Sequence, residues 1–229
     1  AEFESGDAKW TARWERSGHK DDPDKPELKA HRIIEASEKE MLEAVLKSDG
    51  DFTVSQTDRN ATEKPPLNFD LTSLQREANN LWSWSARRTL SVAQELYDTH
   101  KLTTYPRTDS RFLPEDMMES ISKTIRQLGA QDKLNPHSQR LVDDGLKNVK
   151  RNFDNSKVSD HYAIIPTGKI PPSGLSSDAA KLYDLIARQF LASFHPESIW
   201  KVEKRTATKQ GQNFVKEARS LSTPGWRPV

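Results

Sequence analysis

The chain has 229 residues, of which 34% are hydrophobic and 30% are charged, with 35 basic against 34 acidic side chains. The hydrophobic share lies below the ~45–50% usual for globular domains (a figure that includes glycine), but a net charge of +1 and six tryptophans exclude a chain disordered by self-repulsion. Because there is no cysteine, no apolar run near the ~18 residues of a membrane span and no signal-peptide pattern at the start, we expect a folded, disulfide-free protein of the cytosol.

The first 63 residues predict strands and loops around one helix. Residues 9–16 alternate between inward and outward positions, as in a half-buried strand. The inward set is Trp10, Ala12 and Trp14. Residues 31–50 predict a helix with Ser37 as its cap. The apolar stripe of that helix consists of Met41, Leu42, Val45 and Leu46. Strand periodicity returns over 51–58.

Residues 64–191 predict a mostly helical region, which the chain enters through a Pro-Pro pair. Thr72 and Gln75 predict a capping box at the start of its first helix, and Ser85 predicts the N-cap of the second. Two further amphipathic helices are predicted, over 113–129 and 178–194.

After the last helix the sequence returns to strand periodicity, with a turn at Gln210 and Gly211. The simplest architecture is α+β: a β-rich domain in two pieces, residues 1–63 and 192–229, with a mostly helical domain, residues 64–191, inserted between them. Residues 201–229 carry seven basic side chains against two acidic ones. That asymmetry predicts contact with a polyanion.

The stretch TTYPRTDS places a tyrosine and an arginine on a short loop after a helix. Pro106 restricts Tyr105 to extended backbone, and in an extended segment Tyr105 and Arg107 project to the same side. A guanidinium can hold a phosphate and stabilise charge developing on phosphorus, so this pair could attack a phosphodiester and store it as a phosphotyrosine. The alternative is an ordinary turn in which Tyr105 packs and Arg107 is solvated.

His161 stands in a second motif, SDHYAIIPT, just before an apolar run. Its imidazole could contact a phosphate or orient Tyr105. The alternative is a hydrogen-bonded histidine at the mouth of a buried segment. The other histidines are scattered and none stands at ligand spacing from His161, so no metal site is predicted in this chain.

Arg87 and Arg88 lie in the first turn of the helix that Ser85 caps, where cations oppose the helix dipole by ~0.3–1 kcal/mol. A phosphate bound at that N-terminus would reverse the sign of the effect, whereas two solvated arginines are the alternative. The nearby Trp82 and Trp84 predict core packing, with base stacking as the alternative.

Together these segments resemble type IA DNA topoisomerases, and most of all the topoisomerase III branch. The stretch PPLNFDLTSLQREANNLWSWSARRTLSVAQELYDTHKLTTYPRTDSRFLPEDM resembles the region around that family's active-site tyrosine, and SDHYAIIPT resembles its second motif. The likeness is continuous from about Lys64 to Phe194. It is weaker but consistent on both flanks. The stretches LYDLIARQFLASFHPESIW and GWRPV resemble the return into the family's arch domain.

The resemblance implies a role for each residue of the two motifs. Tyr105 corresponds to the nucleophile that forms a 5′-phosphotyrosyl bond, Arg107 to the arginine that holds the scissile phosphate and the tyrosine, and His161 to the histidine that contacts DNA near the break. Further DNA-binding positions are implied at Gln75, Arg87, Arg88, Thr108, Ser110 and Arg111. The implied substrate is single-stranded DNA, which is cut and resealed without ATP because transesterification conserves the free energy of the bond.

Two departures from the family's pattern matter. Tyr162 stands where the topoisomerase III branch usually has a second histidine, which leaves the role of that position open. The family's toprim domain carries a DxDxE cluster that binds Mg²⁺ and supplies the general acid, and this sequence contains no such motif. The resemblance therefore implies an internal fragment, inactive alone and without its own metal. Its partners would be single-stranded DNA and the toprim-containing remainder of the polypeptide, in the nucleoid of the cytoplasm and away from membranes.

Two other hypotheses fit the sequence. The chain could be a single-stranded DNA-binding module that keeps the motif without catalysis. It could also be a protein-interaction module unrelated to DNA, against which the basic stretch at 201–229 argues. Formation of a covalent DNA adduct would exclude the first, and salt-dependent oligonucleotide binding would exclude the second.

Overall fold

The structure, a computed structural model, describes residues 1–5 and 8–229, with side chains left undescribed at 5 and 8. It is α+β, as predicted, and forms two compact units. Unit 1 comprises Ala1–Ala61 and Ile199–Ser222, and unit 2 comprises Thr62–Ser198 and Thr223–Val229. The expected β-rich domain includes residues 192–198 and 223–229, and the structure instead groups both segments with the helical unit. The reason is local: the last helix runs unbroken to Phe194, and Ser198 Oγ donates to the Pro224 carbonyl at 2.7 Å.

Unit 1 is built on antiparallel strands and one helix. Strands β1 (Glu2–Ser5) and β2 (Ala8–Thr11) pair with each other. A four-stranded sheet has the order β3-β6-β5-β4. Its strands are β3 (Arg13–Glu15), β4 (Thr53–Glu63), β5 (Ser198–Lys209) and β6 (Gln212–Thr223). The predicted turn joins β5 to β6, with positive φ at both Gln210 and Gly211.

The aromatic residues of the first strands form the core of unit 1, as their alternation predicts. Phe3, Trp10 and Trp14 are buried together with Leu42 of α1 (Ala36–Lys47) and Phe214 of β6. The Phe3 and Trp10 rings stack with centroids 4.9 Å apart. These side chains bury a compact apolar layer on one face of the strands.

Helix α1 begins one residue before the predicted cap, so the assignment of Ser37 is wrong. The N-cap is Glu35, which makes no side-chain capping bond, and the Ser37 hydroxyl instead donates to the Glu35 carboxylate at 3.4 Å. Of the predicted stripe, Leu42 and Val45 are buried, whereas Met41 and Leu46 are about 40% exposed. The buried face is therefore narrower than the sequence indicates.

Part of the positive charge in the basic stretch is paired or buried within unit 1. Lys201 Nζ lies 2.7 Å from Glu203 and 3.3 Å from Asp58. Lys209 is buried and donates to the Ser48 carbonyl at 2.6 Å. Exposed pairs of this kind contribute ~0–1 kcal/mol each, so their main effect here is to reduce the net field of the stretch.

Unit 2 is helical and has the larger core. Its main helices are α2 (Leu71–Trp82), α3 (Ala86–Gln94), α4 (Met118–Leu128), α5 (Asn135–Asp144), α6 (Val149–Asn152) and α7 (Ser177–Phe194). A π-helical turn, Glu95–Thr99, extends α3, and 3₁₀ turns span Glu115–Met117 and Asn155–Lys157. Helix α7 fills the centre, where Leu182, Ile186, Phe190 and Phe194 are fully buried.

The structure contradicts the predicted cap of α2 and confirms the predicted cap of α3. The capping box of α2 pairs Asp70 with Ser73, because the Asp70 carboxylate accepts from the Ser73 N–H at 2.6 Å and the Ser73 hydroxyl accepts from the Asp70 N–H at 3.1 Å. The predicted pairing of Thr72 with Gln75 is therefore wrong. Ser85 caps α3 as predicted, accepting from the Arg88 N–H at 3.2 Å. In the described part of the chain, no helix has both the length and the apolar character needed to cross a bilayer.

Candidate functional site

Two segments of unit 2 that are about 60 residues apart are joined by backbone hydrogen bonds. Thr104 N–H donates to the Ile165 carbonyl at 2.9 Å, and the Thr104 hydroxyl donates to the Ala163 carbonyl at 2.8 Å. The Thr167 N–H donates to the Leu102 carbonyl at 2.9 Å. The apolar run after His161 is therefore buried beside the loop that carries Tyr105. This pairing brings the two sequence motifs together.

Tyr105 lies in a cluster of aromatic rings. Its centroid is 4.3 Å from that of His161, with the planes tilted by 45°. The ring of Tyr97 meets it edge-on at 5.4 Å. Tyr105 is half-buried, and its hydroxyl has no hydrogen-bond partner among residues 1–5 and 8–229. The phenol is thus fixed by its ring and keeps its oxygen available.

Arg107 is exposed and is held by an amide. With the Gln94 side chain oriented to accept, its oxygen receives bonds from Arg107 Nη2 at 3.0 Å and Nε at 3.2 Å. Within the described residues, no carboxylate lies within ion-pair distance of Arg107. Gln94 ends α3 just before the π-turn that carries Tyr97, and residues three apart share a helix face. The guanidinium is therefore held by Gln94 with its charge uncompensated, two residues after Tyr105 in the chain.

Two further residues of the first motif, and Arg111 next to it, hold the loop in place through hydrogen bonds. The buried Thr108 hydroxyl donates to the His161 carbonyl at 2.9 Å, and the buried Ser110 hydroxyl donates to the Lys157 carbonyl at 2.7 Å. Arg111 Nε donates to the Asn68 carbonyl at 2.9 Å. These contacts place the three residues as supports of the loop, and their DNA contacts stay a prediction.

The three predicted DNA-binding residues near the start of α3 make different contacts. Gln75 Nε2 donates to the Ala86 carbonyl at 3.1 Å. Arg88 binds the Asp178 carboxylate at 2.6 and 3.0 Å and lies 4.7 Å over the ring of Trp84. Arg87 is exposed. Both arginines are exposed, but Arg88 is paired with a carboxylate and Arg87 has no ion pair among the described residues. Trp84, 3% exposed, is a core residue as predicted.

A cavity of about 360 Å³ opens beside Tyr105. Its lining consists of Tyr97, Lys101, Thr103, Thr104, Tyr105, His161, Tyr162 and Thr167. Burial raises the pKa of the Tyr162 phenol, and Tyr97 adds to the effect. A larger cavity of about 1050 Å³ lies in unit 1 and contains none of the predicted site residues.

Sequence reasoning misses three residues of this site. Gln94, Lys101 and Tyr97 line or support it, yet the sequence assigns none of them a function. Tyr97 falls on the apolar face predicted for its helix. The spacing of Gln94 and Tyr97 on one helix face is a usable signal, but the left-handed backbone of Lys101, with φ 55°, is not visible in the sequence.

The chain matches the family described as DNA topoisomerase over residues 7–229. It is similar to the DNA topoisomerase 3 of Shouchella clausii, with 37% identity over 87% of this chain and 27% of the relative. For the DNA topoisomerase 3 of Bacillus subtilis, the identity is 40% over 72% of this chain and 23% of the relative. The chain spans about a quarter of the length of these curated relatives.

Among solved structures, the chain is similar in fold to full-length topoisomerase I from Thermotoga maritima. The TM-score is 0.58, over 88% of this chain and 32% of that one. At 23% sequence identity, this likeness concerns the fold.

Proposed function

Since this chain belongs to the type IA DNA topoisomerase family, we propose that it is the nucleophile-bearing part of a larger enzyme that cuts and reseals one DNA strand, with Tyr105 as the nucleophile. The observation that carries the proposal is the contact between the rings of Tyr105 and His161, whose centroids lie 4.3 Å apart. Arg107, two residues after Tyr105, is held by the Gln94 amide and adds a cation to the same loop.

The proposed step is a transesterification. The Tyr105 Oη–P bond forms while the P–O3′ bond breaks, so that the 5′-phosphate of the downstream DNA stays on the protein. The phenol loses its proton and the departing 3′ oxygen gains one. Because one phosphodiester replaces another, the reverse attack by the 3′-hydroxyl reseals the strand without ATP.

A phenol with a pKa near ~10 is a weak nucleophile at neutral pH and needs assistance. We assign that assistance to Arg107, whose guanidinium would neutralise charge on the phosphate oxygens as Tyr105 attacks. Contacts of this type contribute ~10²–10³ in rate. His161 would orient the Tyr105 ring and donate to a neighbouring phosphate.

The family resemblance also implies Mg²⁺ and a general acid, and the side chains of this chain do not fit that requirement. In the described residues, no three histidines, aspartates or glutamates are grouped so that they could hold a metal. We assign both functions to the toprim-containing remainder of the enzyme, where the cation would support the phosphate during the transfer.

Mapping the covalent adduct tests this function. The full-length enzyme is incubated with a single-stranded oligonucleotide labelled at its 3′ end, the adduct is trapped with denaturant, and mass spectrometry of the digest locates the nucleotide. We expect it on Tyr105, one of four tyrosines in the chain. An adduct on Tyr97, Tyr162 or Tyr183 would contradict the assignment. Strand binding with no adduct at all would identify a non-catalytic binding module instead.

The contact between Gln94 and Arg107 gives a second prediction. Gln94→Glu is expected to lower the rate of adduct formation about tenfold, because a carboxylate against the guanidinium neutralises the charge that the phosphate needs. The rate is measured in single-turnover cleavage of the same oligonucleotide. Gln127→Glu adds the same charge on an exposed face of α4 and should leave the rate unchanged. A rate equal to wild type in Gln94→Glu would show that Arg107 does not act through this arrangement.

A further inference from the structure

The cavity beside Tyr105 has the size and walls of a small-ligand site. Its volume of about 360 Å³ falls at the lower end of the ~300–1,000 Å³ typical of such sites. Tyr97 and Tyr162 supply aromatic walls, and Tyr105 itself borders it. Aromatic side chains in nucleic-acid-binding proteins stack on unpaired bases, and each such contact contributes roughly tenfold or more to affinity.

One buried polar atom of the lining lacks a partner. Thr103 is 2% exposed, and its Oγ1 has no hydrogen-bond partner within the described part of the chain. Buried hydroxyls in native proteins are nearly always satisfied, because an unsatisfied one is costly. Thr104, its neighbour, makes two such bonds. The Thr103 hydroxyl is therefore a buried hydrogen-bonding group at this cavity that the described protein atoms leave unsatisfied.

A cation stands at the same cavity. Lys101 has a left-handed backbone, with φ 55°, which is uncommon for a residue other than glycine, asparagine or aspartate. Its Nζ lies 5.3 Å over the ring of Tyr97, and its carbonyl accepts from the Thr167 hydroxyl at 2.8 Å. The side chain is exposed and lies on the aromatic wall, where a phosphate next to a bound base could meet it.

We propose that this cavity binds one unstacked nucleobase next to the phosphate that Tyr105 attacks, with the base stacked on Tyr97 and Tyr162 and bonded by the Thr103 hydroxyl. The proposal rests on the proposed function for the identity of the strand. It extends that function by giving the enzyme a base-binding site formed wholly by this chain.

Photo-cross-linking tests the base site without requiring cleavage. Single-stranded oligonucleotides with one 5-iodouracil, moved one position at a time, are bound to this chain and to the full-length enzyme and then irradiated. We expect one position to cross-link far more than the others, and the cross-linked residue to be Tyr97 or Tyr162. Cross-links confined to residues outside the cavity would overturn the proposal, as would failure of the oligonucleotide to bind.

Thr103→Val tests the hydroxyl separately from the packing. The substitution keeps the shape of the side chain and removes an unsatisfied buried oxygen, so the melting temperature should be unchanged or higher. The cross-link yield at the selected position should fall about fivefold. Thr124→Val, at a buried threonine on α4 that does not line the cavity, should alter neither quantity. An unchanged yield in Thr103→Val would refute the proposed bond to the base.

The outcomes separate this site from the proposed function. If cross-links form in the cavity but the nucleotide adduct lies on a residue other than Tyr105, the base site stands and the assignment of Tyr105 as nucleophile is wrong. If the adduct lies on Tyr105 but no cross-link forms in the cavity, the assignment of the nucleophile stands and the base site is wrong.

Discussion

Replacing Tyr105 with phenylalanine is expected to lower the yield of covalent DNA–protein adduct by at least ~10³-fold, because the variant lacks the oxygen that forms the bond to phosphorus. The measurement is the adduct trapped from the full-length enzyme with a single-stranded oligonucleotide. DNA binding should remain, since phenylalanine keeps the ring that contacts Tyr97 at 5.4 Å and His161 at 4.3 Å.

The stability of the Tyr105→Phe variant should lie within ~0.5 kcal/mol of wild type, because no hydrogen bond to the Tyr105 hydroxyl is lost in the described structure. Tyr97→Phe and Tyr162→Phe serve as matched controls, since each removes a phenol from the same cavity and keeps its ring. Both controls should retain most of the adduct. If Tyr105→Phe still forms adduct at a level comparable to these controls, Tyr105 is not the nucleophile.

The sequence predicts which residues form this site better than it predicts how these residues are brought together. Tyr105 and Arg107 follow from the spacing in TTYPRTDS and the restriction imposed by Pro106. Their pairing with His161 depends on hydrogen bonds from Thr104 to residues about 60 positions away. No local rule specifies such a pairing. The role of Gln94 escapes prediction because its contact is with Arg107, which lies on the loop beyond the helix that carries Gln94.

In the fold, too, features set by neighbouring residues are predicted from the sequence, whereas features set by residues far apart in the chain are not. Amphipathic patterning predicts α7 to within one residue, because its buried face is continuous. The start of α2 is misplaced because two capping patterns overlap in the sequence. A long-range bond from the Leu71 N–H to the Thr108 carbonyl, 3.0 Å long, accompanies the observed start at Asp70. Helix α5 is missed as a separate element because only Ser138 and Leu141 among its residues are buried.

Acidification from pH 7 to pH 5 is expected to lower the free energy of unfolding by about 2 kcal/mol through His195 alone. His195 is 1% exposed, and neither ring nitrogen has a partner in the part of the chain that the structure describes. Burial lowers its pKa from 6.5 to about 4, and the charges of Arg140 and His137 add to the effect. The folded state therefore keeps this imidazole neutral where the unfolded chain would protonate it.

The direction of this pH effect follows from the proton that His195 takes up when the chain unfolds. Between the unfolded pKa of 6.5 and the folded pKa of about 4, unfolding takes up a proton, so stability is greatest above pH 6.5 and falls as the pH drops through this window. The pKa of His137 is also lowered, chiefly by burial, which acts in the same direction. Hydrogen bonds from basic side chains lower the pKa values of three carboxyl groups from ordinary values of 3.8 to 4.5: Asp21, Glu38 and Asp154. Their stabilisation is present above those ordinary values and is therefore retained between pH 7 and pH 5.

Urea unfolding at pH 7, 6 and 5 measures the effect, and His195→Phe isolates it. Phenylalanine keeps an aromatic ring and has no group that titrates, so whatever its stability at pH 7, the variant should lose about 2 kcal/mol less than wild type on going to pH 5. His31→Gln, at an exposed histidine of unit 1, should keep the wild-type pH dependence. If His195→Phe keeps it as well, the buried imidazole does not control acid stability, and the pH dependence must come from groups elsewhere in the chain.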